Sequence, residues 1–186
     1  IPFTVTYNDG NVSAASANEV ITVTSVIDLP TATASTSSGA EDAATIAVDL
    51  TGTDPDGTVD FVTIVTLPPV GEGVLYLADG TTPVVAGTPI TAAQAATLVF
   101  TPAANFNGTV TVPFTMTDNH ANVSTVSVNE VITVTPVIDL PTATAPTSSG
   151  AQDEATIAVD LTGTDPDGTV DFVTIVTPPP RREGVM

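Results

Sequence analysis

LTGTDPDGTVDFVTIVT occupies residues 50–66, and the same string returns unchanged at residues 161–177. A second string, NEVITVT, stands at 18–24 and again at 129–135. Both pairs are 111 residues apart, and residues 1–75 aligned with 112–186 agree at 59 of 75 positions. Self-similarity at a fixed period is the mark of a repeat architecture. A period of this length is the size of a whole domain rather than one turn of a solenoid. The spacing predicts one complete unit over residues 31–141. Residues 1–30 are then the tail of a preceding unit, and residues 142–186 the head of a following one.

The unit reads as strands. In TIAVDLT (45–51), Ile46, Val48 and Leu50 alternate with Thr45, Ala47, Asp49 and Thr51. In TVTVPFTMT (109–117), Val110, Val112, Phe114 and Met116 alternate with Thr109, Thr111, Pro113, Thr115 and Thr117. Period-two alternation is the pattern of a strand with one buried face. Asp79-Gly80 between VLYL and TTPVV predicts a hairpin turn. TAAQAA at Thr91 predicts one helical turn, with Thr91 and Gln94 as a capping box. Many short strands and one turn of helix predict an all-β, Ig-like Greek-key sandwich of seven or so strands, tandemly repeated. Two residues resist the pattern. Pro113 lies mid-strand, which predicts a local edge or a bulge, because proline cannot donate to a ladder. Glu130 falls on the apolar parity between Val128 and Ile132, and a bulge near Asn129 would turn it outward.

Composition narrows the function. There are 21 acidic residues against two basic ones, for a formal net charge of −19. Nucleic acid and anionic membrane surfaces both require basic patches and are set aside as partners. The chain has no cysteine, which excludes disulfide staples, thiolate zinc sites and thiol nucleophiles. No apolar run reaches membrane-spanning length, so membrane insertion is not expected. Residue 1 is Ile and no signal peptide is visible, as expected for part of a longer polypeptide. His120 is alone in a loop, no Ser–His–Asp set is defensible, and aromatics are sparse, so no catalytic residue is assigned. The Asn-X-Ser/Thr triplets at Asn11, Asn107 and Asn122 are incidental in so Asn- and Thr-rich a chain.

The acidic turns carry the only constellation. TDPDGTVD supplies Asp54 and Asp56, repeated as Asp165 and Asp167. Turn chemistry explains Pro55 and Gly57 but does not require two carboxylates. An EF-hand is excluded, because its twelfth-position Glu would fall on Val65. In a sandwich of this type the DPDG and TDNHAN loops share the end where the chain enters. That end would gather Asp54, Asp56 and Asp118 with Asp28 of the linker VIDLP. The opposite junction would gather Glu41, Asp42, Asp139, Asp165 and Asp167. Convergent hard oxygens suit Ca²⁺, which takes six to eight of them.

TIAVDLTGTDPDGTV, LVFTPAANFNGTVTVPFTMTDN and VNEVITVTPVIDLPTA resemble the cadherin-like, Ig-like tandem repeats of giant RTX-type bacterial surface adhesins. The resemblance spans essentially the whole chain. It implies a secreted or cell-surface array that extends an adhesive tip, with calcium common at the junctions. Departures are Ile27 where the family's linker has Asn, Gln152 where the first copy has Glu41, and a C-terminal PPPRREGVM holding Arg181 and Arg182. The expected function is a structural spacer with no catalytic activity. Its partners are neighbouring repeats of the same chain. The alternatives are a self-associating subunit of an extracellular fibre or biofilm matrix, and a linker array in a large secreted enzyme.

Overall fold

The computed structural model describes residues 1–177. The divergent C-terminal segment with Arg181 and Arg182 lies outside the described residues. Two short antiparallel strands come first, β1 (Pro2–Phe3) and β2 (Ala17–Asn18). The main body follows as β3 (Thr31–Thr33), β4 (Ser35–Ala40), β5 (Ile46–Val48), β6 (Thr51–Thr53), β7 (Val59–Ile64) and β8 (Gly73–Tyr76). It continues with β9 (Ile90–Thr91), α1 (Ala92–Ala95), β10 (Leu98–Pro102), β11 (Gly108–Asp118) and β12 (Val128–Thr135). Strands β13 (Thr142–Thr144) and β14 (Thr162–Thr164) close the described chain.

One sheet has the order β4-β12-β11-β7-β9, and a second has β5-β10-β8. The first strand region is divided: β3 pairs antiparallel with β6, while β4 crosses to the larger sheet and pairs parallel with β12. This is the all-β, Ig-like sandwich that the alternation predicts. β13 and β14 pair as Thr142↔Thr164, the register of Thr31↔Thr53 shifted by the sequence period.

The inward positions are the ones that the period-two pattern selects. Ile46, Val48 and Leu50 are buried, as are Val110, Val112, Phe114 and Met116. They meet Val62, Ile64, Leu75, Leu98, Phe100, Ile132 and Val134 in one core, whose members run from Ala32 to Val134. Each large member contributes roughly 1.5–3 kcal/mol through its burial. The Asp79-Gly80 hairpin forms, with Leu77 N–H donating to the Thr82 carbonyl at 2.9 Å. The Asp79 carboxylate accepts from the Thr81 and Thr82 N–H groups and from the Thr82 hydroxyl. Those bonds lower its pKa to about 2. The helical turn carries the predicted Thr91/Gln94 capping box.

Pro113 sits at a local edge. Its carbonyl accepts from Val65 N–H at 2.8 Å, so its nitrogen also faces β7, whose ladder with β11 has ended at Ile64. The missing donor therefore falls at the end of that ladder, opposite Val65, and interrupts no bond within it. The expected bulge near Asn129 is absent: β11 and β12 stay in unbroken register from Gly108↔Val134 to Phe114↔Val128. The irregularity lies instead between Thr117 and Asp118, where β11 meets β7. Glu130 therefore points inward and is fully buried. The Ser35 and Ser37 hydroxyls of β4 both donate to its carboxylate, the Ser37 bond at 2.5 Å. Two hydroxyl donors on alternate residues of the neighbouring strand are what allow a carboxylate there without a bulge.

Candidate functional site

At the entry end, Asp54 and Asp56 lie between β6 and β7, and Asp118 is the last residue of β11. The two loops are laced together: Asn119 N–H donates to the Thr58 carbonyl at 3.0 Å, and Thr58 N–H to Asn119 Oδ1 at 3.2 Å. Gly57 sits under this contact. A Cβ there would stand 2.2 Å from Asn119 Oδ1 and 2.6 Å from Asp54 Oδ2, so any larger residue would have to displace both side chains. The linker is tied in as well, since Asp28 N–H donates to Asp56 Oδ2 at 3.1 Å.

The acids at this end differ in what they already hold. Asp118 is 2% exposed, and its oxygens accept from His120 N–H, Asn122 N–H and the Asn122 amide. Burial works against its charge, yet the bonds from Asn122 and His120 hold its pKa below the usual carboxylate value. Asp54 is the reverse. Both of its oxygens are shielded from solvent and neither has a hydrogen-bond partner. Burial first, then the charges of Asp56 and Asp118, raise its pKa. The nearby Asp56 N–H pulls the other way without forming a bond. In the second copy that bond is made, with Asp167 N–H donating to Asp165 Oδ1 at 3.1 Å.

The exit end repeats the linker contact: Asp139 N–H donates to the Asp167 carboxylate, as Asp28 does to Asp56. Glu41, 4% exposed, follows β4 and grips the outgoing linker. Its Oε1 accepts from Val137 N–H at 2.7 Å and its Oε2 from the Asn107 amide at 3.3 Å. Burial, followed by the charges of Asp42, Asp167, Glu41 and Asp165, raises the pKa of Asp139. The other four carboxylates expected at this junction thus all act on Asp139.

The two shielded, unpartnered oxygens of Asp54 are hard donors of the type that a cation such as Ca²⁺ takes. Among the described residues, no three His, Cys, Asp or Glu side chains already stand in a metal-holding arrangement. The acids not occupied as Glu41 and Asp118 are would be the ligands: Asp28, Asp54 and Asp56 at one end, and Asp42, Asp139, Asp165 and Asp167 at the other. Sequence reasoning placed Asn119 with Asp118 in the TDNHAN loop at the entry end but missed Asn107 as a partner of Glu41, for which its place just before Gly108 and β11 was the available signal.

The model of the Bacterial Ig domain family matches residues 27–130, more than half of the chain. The chain belongs to that family, a non-catalytic fold common in bacterial surface proteins. A comparison with curated proteins gave no match. Among the described residues, no helix is long and apolar enough to cross a membrane.

Proposed function

We propose that this chain is a spacer segment of a large secreted or cell-surface bacterial adhesin. In this reading residues 31–141 form one complete unit, flanked by parts of its neighbours in a tandem array, and Ca²⁺ stiffens the junctions. The observation that carries it is the Asp54 carboxylate, shielded and without a partner beside Asp56, in a loop that the linker already touches through Asp28. A divalent cation would offset the repulsion and tie linker to loop. Carboxylates this close are poorly screened at physiological salt, where the Debye length is ~8 Å.

Extracellular calcium modules bind at about 10⁻⁴ to 10⁻³ M. Titration calorimetry on the full chain should therefore give calcium heat with a dissociation constant in that range. Asp54→Asn combined with Asp56→Asn should remove the entry-end component. An unchanged isotherm in the double variant would place calcium elsewhere, and no heat in the parent would reduce the acidic turns to solvated loops.

A further inference from the structure

Past β3, the chain enters β4 at Ser35, and it leaves the main body at the Thr135 end of β12. These two strands are parallel neighbours, paired from Glu130↔Ser35 to Thr135↔Ala40. A pull on the two linkers therefore slides β4 and β12 past each other along their own axes. All the bonds of the ladder are loaded together, instead of one after another as when a hairpin is peeled. The β3–β6 ladder, three pairs long, stands ahead of β4 on the entry side and meets the load first.

Side chains reinforce this one ladder at both ends. At the Ser35 end, the fully buried Glu130 carboxylate is bonded by Ser35 and Ser37 across the two strands. The Ser35 oxygen also lies 3.1 Å from the Asp49 carbonyl, so its single hydroxyl proton has that acceptor and the Glu130 carboxylate within reach. At the other end, Thr135 donates its hydroxyl to the Gly39 carbonyl at 3.1 Å, and its carbonyl accepts from Glu41 N–H at 3.0 Å. Just beyond, the buried Glu41 carboxylate holds Val137 N–H. The two buried carboxylates thus bracket the ladder.

Stability alone does not account for Glu130. Its inward companions on β12 are Ile132 and Val134, and replacing buried charge by apolar packing is often neutral or stabilising. Breaking its bonds is another matter, because water cannot take the place of the serines and the carboxylate is left buried and unpaired. We infer that the β4–β12 ladder is the element that resists tension on the unit, with Glu130, Ser35 and Ser37 as its shielded lock. The spacer reading supplies the source of the load, as tension along a tether, while the geometry stands without it.

The test is to pull the full chain by its two ends in an optical trap with chelator present, so that junction cations contribute nothing. At fixed force, Ser35→Ala with Ser37→Ala should unfold the main body at least about tenfold faster than the parent, since charged hydrogen bonds then no longer resist ahead of the barrier. A second pull uses handles on Val70→Cys and Val85→Cys, two exposed positions flanking β8 in a chain without other cysteine. That pull strips β8 and leaves β4 and β12 unloaded, so the serine variant should unfold within about twofold of the parent. Equal acceleration in both directions, or none in the end-to-end pull, overturns the inference. If the double variant does not fold, Thr135→Val replaces it, with the same asymmetry expected at about two- to threefold, and absence of that asymmetry likewise overturns the inference. Loss of calcium stiffening would contradict the junction proposal and leave this asymmetry untouched.

Discussion

Single carboxylates in this chain do opposite things, and pH separates them. Asp79 has a pKa lowered to about 2 by its bonds to Thr82 and Thr81. Its contribution to stability is fully present above the unfolded value of 3.8 and is lost as pH falls through the folded value. Asp54 and Asp139 have raised values, chiefly from burial. The folded chain holds their protons more tightly than the unfolded chain does. Stability therefore increases as pH falls through their folded values toward 3.8, and decreases as pH rises through that window. Denaturant melts in chelator should show both limbs: a gain on acidification toward pH 4, then a loss below it. Asp139→Asn should shrink the gain, and Asp79→Asn should flatten the loss. A monotonic fall of stability from neutral pH downward, unchanged in Asp139→Asn, would contradict these roles for the junction acids. The cluster of acids was visible in the sequence as Asp-Pro-Asp-Gly repeated at one period. That Glu41 is already occupied was not, because its partners Asn107 and Val137 lie far away in sequence, whereas Asp118 is held within its own TDNHAN turn by His120 and Asn122.

At the scale of elements, alternation identified most of the core. β11 is one long strand whose four apolar residues, Val110, Val112, Phe114 and Met116, all reach the interior. Phe114→Ala should cost roughly 3–5 kcal/mol in equilibrium unfolding, the range for truncating a buried aromatic. Pro113→Ala should cost only about 0.4–1 kcal/mol, from the added freedom of the unfolded chain, because the new N–H points past the end of β7. A loss as large as that of Phe114→Ala would mean that the proline itself organises the strand. Alternation also placed Glu130 on the inner face, and the parity was right. The expectation of a bulge failed because parity on one strand cannot reveal a partner on another. Ser35 and Ser37 lie more than ninety positions away in sequence, on the strand that runs parallel to β12. The same distance hid the division of the first strand between two sheets, since STSSG carries no apolar pattern to assign it.

For the whole molecule, the fold follows from the repeat and the strand pattern, while the assembly depends on the junctions. The apolar core ends at Ala32 and Val134, so what lies between cores is a short linker flanked by carboxylates. Without a cation those charges repel, and the linker VIDLP is held by its proline and by a few backbone hydrogen bonds to Asp56, Glu41 and Asp167. Under the proposed calcium stiffening each unit would be one rigid segment of about 35–45 Å, from strand rise plus a short linker. Small-angle X-ray scattering on a protein of two complete consecutive units, in millimolar calcium and then in chelator, measures this directly. Calcium-stiffened junctions predict a longer maximum dimension with calcium and a shorter, broader distance distribution without it. They also predict no calcium response when Asp139→Asn and Asp167→Asn are combined. A maximum dimension identical in calcium and chelator would contradict them.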